Sequence, residues 1–291
     1  MTAQFVSTVR SLLKDADKDE KMALIRILAS LYAPDDATGC NRDILLDLRM
    51  LAGDSHRDVA RMAVLTFTRV GYFSGADALL RSAFQSELLS ADDYYGELAR
   101  LVFVVPPDVQ RSMLAEIRSA PSARAFDKLA EAVAGKPAAA DALSAEARSM
   151  LVEIFRAAEP RFALPPWEFD VVDATRYNRW LRAAARIESA HAGASADSTI
   201  VARLSQPDTD PRKVLAYLLT PEASTVLESA APGSRAEGLA KIAARYAAQL
   251  SGNPGLARIT QGIASRVGKV RRAPEPACDD VLDACPTTVA P

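Results

Sequence analysis

The chain has 291 residues, of which 49% are hydrophobic and 25% charged, and its formal net charge is −2. This is the balance of a folded globular protein, and so small a net charge gives no global field that favours nucleic acid or an anionic membrane. No apolar run approaches the ~20 residues of a membrane span, and the N-terminus lacks the apolar segment of a signal peptide. With three sparse cysteines, these features predict a cytoplasmic protein that does not bind a membrane.

Signals for helix boundaries recur along the chain, at spacings of roughly 12 to 20 residues. Asp17–Glu20 reads as a capping box before a helix over Met22–Tyr32, because each end residue can bond the other's backbone amide. Pro107 suits a first helical turn, where its missing N–H costs nothing. Asp210-Pro211 repeats that arrangement, and Ser234–Glu237 forms a second capping box.

The apolar residues between these boundaries recur at spacings of three and four, which predicts amphipathic helices. Val102–Val105 is the one convincing β-type run, and it stops at Pro106-Pro107. We therefore predict an all-α protein of roughly twelve to fourteen helices with short connections. Such helices would form antiparallel pairs stacked as an irregular α-solenoid, and the alternative is an irregular helical bundle.

The stretch Asp54–Gly71 resembles the second helix of a HEAT-type repeat, which has an early Asp, a Val and then small and large apolar residues on one face. These face positions hold Val59, Ala63 and Phe67. Ala60 departs from the family, which often has Arg there. Ile44–Leu51 would be the first helix of the pair, and Asp208–Leu219 echoes the same start. The resemblance implies a HEAT-like fold and a scaffolding or binding role.

Three prolines interrupt the helical pattern between Glu159 and Asp173, which cannot be one continuous helix. We predict an N-terminal helical-repeat half over 1–158, an ordered connector over 159–173, a C-terminal helical half over 174–272 and a disordered tail over 273–291. Because the connector contains the aromatic residues Phe162 and Trp167, we predict that it packs inward. Residues 1–160 carry 19 basic and 23 acidic residues, giving −4, and 161–291 carry 16 and 14, giving +2.

Four arginines form the most suggestive surface of the sequence. Spaced along one helix, they share an arc of about 120°, while Tyr177 and Trp180 face the opposite way. The four are Arg176, Arg179, Arg182 and Arg186. Such a stripe can bind an acidic protein surface, phosphates or nucleic acid. It can equally be the solvated face of an amphipathic helix.

The stretch Ser90–Glu97 gathers three acids and two tyrosines, and it is a second candidate surface for a partner. The residues concerned are Asp92, Asp93, Tyr94 and Tyr95. In the alternative interpretation, the aspartates favour the helix dipole at a first turn and one tyrosine turns inward.

No phosphate-binding loop, zinc spacing or nucleophile motif occurs in the sequence, and it has only two histidines. We therefore expect no catalytic residue, no cofactor and no metal. The favoured function is a non-catalytic platform that presents a helical surface to a protein partner, as an adaptor, a regulator or an immunity-type inhibitor. The first alternative is binding of nucleic acid or a phosphate ligand through the basic C-terminal half. The second is an enzyme with dispersed carboxylates and arginines. The oligomeric state is left open.

Overall fold

The computed structural model describes residues 2–33, 40–70, 75–120, 122–135, 138, 141–193, 195–249, 258, 261–263 and 265. Within these ranges, the regular structure consists of fourteen α-helices, which confirms the all-α prediction for this part of the chain. None of these helices is long and apolar enough to span a membrane. The helices are α1 (Thr2–Leu13), α2 (Lys18–Leu31), α3 (Cys40–Leu51), α4 (Arg57–Arg69), α5 (Ala76–Gln85), α6 (Ala91–Leu101), α7 (Pro107–Ser119), α8 (Ala123–Gly135), α9 (Ala145–Ala157), α10 (Val171–Ala192), α11 (Ala196–Leu204), α12 (Pro211–Leu218), α13 (Pro221–Glu228) and α14 (Arg235–Gln249).

Short-range signals fix where these helices begin. The Asp17 carboxylate accepts a hydrogen bond from the Glu20 amide at 2.9 Å, and the Glu20 carboxylate accepts one from the Asp17 amide at 2.9 Å. This confirms the predicted capping box of α2. Pro107 occupies the first turn of α7, and the Asp210 carboxylate caps α12 by accepting from the Arg212 amide.

The chain forms two compact units that are each discontinuous in sequence. Unit 1 consists of Met1–Pro160 and Arg179–Ala196, and unit 2 consists of Arg161–Asn178 and Asp197–Pro291. The predicted division of the chain at 159–173 stays a prediction. The predicted tail over 273–291 lies outside the described residues.

In unit 1, helices pack against sequence neighbours from α1 to α7, and several also pack against a helix two positions away. Consecutive contacts join α1 to α2, α3 to α4, α5 to α6 and α6 to α7. Contacts that skip one helix join α1 to α3, α2 to α4, α4 to α6, α6 to α8 and α7 to α9. Unit 2 packs α12 against α13 and α14, and α13 against α14.

Helices α3 and α4 are the pair in which the sequence resembles a HEAT repeat, and they do pack against each other. Val59, Ala63 and Phe67 are buried in the core shared with α1 and α2. Helix α4 ends at Arg69, and Gly71 lies outside the described residues. The burial of Val59, Ala63 and Phe67 confirms the apolar face of the predicted helix.

The run Val102–Val105 forms turns that follow α6, so its β-type composition does not produce a strand. The Val102 amide still donates to the Leu98 carbonyl at 3.2 Å, and the Val104 amide donates to the Leu101 carbonyl at 2.9 Å. Gln110 in α7 donates from its side chain to the Val102 carbonyl at 2.8 Å. The Val102 and Val104 amides and the Val102 carbonyl therefore have local partners without a second strand.

Candidate functional site

The predicted arginine stripe lies along α10 with its side chains at different depths. Arg176 and Arg179 are exposed, whereas Arg182 and Arg186 are half-buried. Arg186 forms an ion pair with Asp141 at 2.8 Å. On the opposite face, the buried Trp180 donates from Nε1 to the Phe155 carbonyl at 3.0 Å. At least one of the four guanidiniums therefore serves a contact within the protein, and partner binding by the stripe stays a prediction.

Asp93, in the first turn of α6, is buried and bridges two other helices. Its carboxylate forms ion pairs with Arg61 of α4 at 2.6 Å and with Arg124 of α8 at 3.1 Å. Burial raises the pKa of Asp93, but hydrogen bonds from Arg61 and Ser90 outweigh this effect, so its pKa lies below its ordinary value. The main contacts of this carboxylate are therefore inside unit 1.

The two tyrosines beside Asp93 also differ in exposure. Tyr94 is buried, stacks on Phe84 with ring centroids 4.3 Å apart, and donates its hydroxyl hydrogen to Glu116. The pKa of Tyr94 lies above its ordinary value; burial is the largest cause, and the hydrogen bond to Glu116 is the second. Tyr95 is half-buried, and Asp92 is exposed and accepts a hydrogen bond from the Ser122 hydroxyl at 2.9 Å. Asp92 and Tyr95 are thus the members of this group that reach the surface.

Glu97, one turn after Asp93, also joins α6 to α4 through an arginine. Arg69 of α4 donates to its carboxylate at 2.8 Å, and Arg100 of α6 donates to it at 2.9 Å. The pairing of Glu97 with Arg69 could not be predicted from the sequence, because the two residues lie 28 positions apart. Only the packing of α4 against α6 brings the two side chains together.

Salt bridges between helices of unit 1 that lie far apart in sequence mostly follow one direction along the chain. Among the described residues, ten of these salt bridges have the basic residue earlier in the sequence than its acidic partner, by 28 to 40 residues. The ten are Arg10–Asp43, Arg10–Asp47, Lys18–Asp58, Lys21–Asp54, Arg61–Asp93, Arg69–Glu97, Arg81–Glu116, Arg111–Glu146, Arg118–Glu153 and Arg156–Glu188. Two bridges, Arg124–Asp93 and Arg186–Asp141, run the opposite way. Helices α4, α7 and α9 thus each present bases towards later helices and acids towards earlier ones.

A groove between the first two helices is lined by both apolar and acidic residues, and we call it the N-terminal edge. The groove has a volume of about 400 Å³. Its lining residues are Leu12, Asp15, Ala16, Glu20, Ala23 and Leu24. Leu12 is 56% exposed. Phe5 lies two turns before Leu12 and Ile27 lies one turn after Ala23, so both extend the same side of their helices. Both side chains are exposed as well.

In unit 2, the proline-rich segment is fixed by a buried arginine and a buried tyrosine. Arg212 of α12 donates from Nη1 to the Leu164 carbonyl at 2.6 Å and to the Pro165 carbonyl at 3.1 Å. Asp210 holds the guanidinium through an ion pair at 2.7 Å. The Tyr246 hydroxyl of α14 lies 2.8 Å from the Pro166 carbonyl. The backbone of the segment is therefore held by hydrogen bonds from two helices.

This fixed segment presents apolar side chains to solvent, and we call them the 164–172 surface. Trp167 is 67% exposed, Val171 is 70% exposed and Val172 is 74% exposed. Leu164 adds a partly exposed side chain. The sequence predicts that the aromatic residues pack inward, and Phe162 does so, under the Arg212 guanidinium at 4.9 Å. Trp167 is different because hydrogen bonds to the backbone order the segment without burying the indole.

Two further grooves lie among the described residues. One of about 520 Å³ between α11, α13 and α14 is lined by hydroxyl-bearing and aliphatic side chains, with Asp197 and Arg235 also in its lining. The other, of about 270 Å³, is lined partly by Lys128 and Glu131, which pair with each other at 2.6 Å. No group of three or more potential metal ligands is found in the part of the chain that the structure describes.

The described residues thus define an all-α protein whose helices pack on one another through apolar faces and directional ion pairs. Comparison with models of protein families, with curated proteins and with solved structures gave no match.

Proposed function

We propose that this protein is a non-catalytic binding platform that holds a protein partner on its helical scaffold. The observation that carries the proposal is the 164–172 surface, where Trp167, Val171 and Val172 are mostly exposed on an ordered backbone. Large aromatic side chains in such positions are the residues that most often dominate protein interfaces. Because Arg212 and Tyr246 already fix the backbone, little conformational entropy would be lost when a partner binds.

The chemistry of this surface favours a protein partner over nucleic acid. Valines next to the indole offer aliphatic area, which suits an apolar protein surface, whereas binding of single-stranded nucleic acid combines stacked aromatics with a basic groove. Arg176, one turn after Val172, is the nearest member of the arginine stripe. Arg176 is exposed and would lie at the polar rim of the interface.

A HEAT-like solenoid is the architecture that we propose for unit 1. Two features support it: contacts between helices that skip one neighbour, and ion pairs that recur at separations of 28 to 40 residues. In stacked helix pairs, each repeat contacts the repeats before and after it, so partners recur at separations of up to about one repeat length. Such arrays are mostly binding scaffolds, in agreement with the proposed function.

Recovery of the partner from extract of the native cell tests the proposal. The immobilised wild type should retain one protein in stoichiometric amount, and Trp167→Ala should lose it, because truncation of a central Trp weakens binding by about thirtyfold or more. Met50→Ala is the matched control, since Met50 is 63% exposed on α3. Equal recovery by Trp167→Ala, or recovery that nuclease treatment abolishes, would contradict the proposal.

A further inference from the structure

Helix α3 has an exposed face on which two arginines alternate with two apolar side chains, and we call it the α3 face. Its members are Arg42, Leu46, Arg49 and Met50. Because an α-helix turns by about 100° per residue, these four side chains share one side of α3. Leu46 is 51% exposed and Met50 is 63% exposed, and both arginines are exposed as well. The buried residues of α3, such as Ile44 and Leu48, lie on the other side of the helix.

The two arginines of the α3 face lack an acidic partner in the described part of the chain. Neither Arg42 nor Arg49 forms an ion pair or a side-chain hydrogen bond with a described residue. The acids of α3, Asp43 and Asp47, both pair with Arg10 of α1. Every other helix from α1 to α9 has at least one base in an ion pair. Helix α3 therefore receives bases from an earlier helix, but its own bases are left open.

Helices α7 and α9 show which chemistry matches two arginines at this spacing. Arg111 and Arg118 of α7 lie seven positions apart, as the two arginines of the α3 face do, which is about two helical turns. Arg111 pairs with Glu146 of α9 at 3.3 Å, and Arg118 pairs with Glu153 of α9 at 2.8 Å. The two glutamates are also seven positions apart, and the two helices pack against each other. A neighbouring helix with two acids at this spacing thus satisfies both arginines.

The exposure of Leu46 and Met50 shows that none of the described helices covers the α3 face. Guanidinium groups match carboxylates through paired hydrogen bonds, so the two unpaired arginines favour an acidic partner. A basic helix that lies on a membrane instead needs an apolar face that is free along its length. Most other apolar residues of α3, such as Ile44 and Leu48, are buried in the core of unit 1. The face therefore fits an acidic helix better than a lipid surface.

We propose that the α3 face binds an acidic amphipathic helix of a partner protein. The helix places apolar side chains over Leu46 and Met50, and it pairs two carboxylates, about two turns apart, with Arg42 and Arg49. This contact repeats between molecules the pairing that α7 makes with α9. The α3 face is a second binding surface, and it does not depend on the 164–172 surface. Met50→Ala therefore weakens binding at the α3 face and leaves the partner of Trp167 bound.

The test uses the full chain and two fluorescein-labelled helical peptides of about 20 residues, a length at which a helix can form on its own. Both peptides have the same apolar stripe, and two positions beside it, about two turns apart, hold Glu in one peptide and Lys in the other. Fluorescence anisotropy should show that the Glu peptide binds the wild type about tenfold more tightly than the Lys peptide. Binding of the Glu peptide should weaken when salt is raised from about 50 to about 300 mM.

Charge reversal at both arginines locates the binding on the surface. The double variant Arg42→Glu/Arg49→Glu should prefer the Lys peptide to the Glu peptide, and such a change of preference does not arise from loss of the fold. The matched control is Arg235→Glu/Arg245→Glu, which makes the same exchanges at two exposed arginines of α14 and should bind like the wild type. Circular dichroism verifies the fold of each variant. Trp167→Ala should also bind the Glu peptide like the wild type, which separates this proposal from the proposed function.

Truncation of an apolar side chain tests the other half of the contact. Leu46→Ala should weaken binding of the Glu peptide by about threefold to tenfold, because it removes apolar area that the peptide covers. Leu12→Ala is the matched control, since Leu12 of α1 is 56% exposed, and it should leave binding of the peptide unchanged.

Four results would overturn the inference. The first is equal binding of both peptides, or no binding of the Glu peptide at about 1 mM. The second is a double variant Arg42→Glu/Arg49→Glu that keeps the preference of the wild type, because the binding would then lie elsewhere. The third is binding of the wild type, but not of this double variant, to vesicles that contain phosphatidylserine, which would assign the face to a membrane. The fourth is a wild-type dimer in analytical ultracentrifugation that the double variant dissociates, because the occupant would then be a second copy of the chain.

Discussion

Two buried carboxylates of unit 1, those of Asp93 and Asp47, differ in how far nearby bases and hydrogen bonds offset the effect of burial on the pKa. Asp93 receives ion pairs from Arg61 and Arg124 and a hydrogen bond from the Ser90 hydroxyl, so its pKa is lowered despite burial. Asp47 is also buried, but among the described residues Arg10 alone lowers its pKa. Burial is the larger effect there, and the pKa of Asp47 is raised. Two acids in one unit thus have opposite pKa shifts.

These opposite shifts predict opposite dependences of stability on pH. Because the pKa of Asp93 in the folded state lies below the unfolded value of about 3.9, ionised Asp93 adds stability at neutral pH, and this contribution is lost as the pH falls through the folded pKa. The folded pKa of Asp47 lies above its unfolded value. Lowering the pH through that raised pKa therefore favours the folded chain.

Urea unfolding of Asp93→Asn and Asp47→Asn beside the wild type, from about pH 7 to about pH 3, measures this difference. Asp93→Asn should reduce the free energy of unfolding by about 1–2 kcal/mol at neutral pH, a value discounted for the partly exposed arginines. The deficit should shrink as the pH falls below about 4. Relative to Asp47→Asn, the wild type should gain stability as the pH falls. The same pH trend in both variants would contradict the assignment.

At the scale of elements, α6 packs closely against α8 because α6 has a glycine where the two helices meet. A Cβ atom built on Gly96 would lie 3.1 Å from Cγ of Arg124, which is closer than ordinary van der Waals contact. Gly238 in α14 has no such neighbour within 4 Å. The two residues share a helical setting, so they differ chiefly in the space around them.

Substitution of each glycine by alanine separates helix propensity from packing. Gly238→Ala should raise the free energy of unfolding by about 0.5–1 kcal/mol, because alanine restricts the unfolded chain more than glycine does. Gly96→Ala should gain clearly less, or lose stability, because the Arg124 side chain must shift away from the new methyl group and its ion pair with Asp93 is disturbed. Thermal and urea unfolding of both variants provide the comparison. Equal stabilisation would show that α8 does not approach α6 so closely.

Local interactions explain which elements could be predicted from sequence. The capping box Asp17–Glu20 and the first-turn prolines act over three or four residues, so the sequence reveals them directly. The partners of Asp93 and Glu97 on the neighbouring helix α4, Arg61 and Arg69, are 32 and 28 residues away, and pairing them requires knowledge of which helices pack together. Val102–Val105 has β-type composition but no strand beside it among the described residues, and its carbonyl and amide groups bond to helical neighbours instead.

At the scale of the whole molecule, the surfaces left open by each unit are more informative about function than charge or motifs. A net charge of −2 favours no class of ligand, and the predicted sites at Arg176–Arg186 and Asp92–Tyr95 include side chains that the protein uses for its own contacts. The exposure of Trp167 could not be predicted, because it depends on hydrogen bonds from Arg212 and Tyr246, which lie 45 or more residues further along the chain.

Acrylamide quenching of tryptophan fluorescence measures whether Trp167 lies in an interface with a protein partner. The chain has two tryptophans, and Trp180 is buried, so the quenchable signal belongs mainly to Trp167; a Trp167→Phe variant gives the remainder. When the purified partner is added, quenching should fall towards that of a buried indole and saturate at a fixed stoichiometry. Saturating binding that leaves the quenching of Trp167 unchanged would show that Trp167 lies outside the interface.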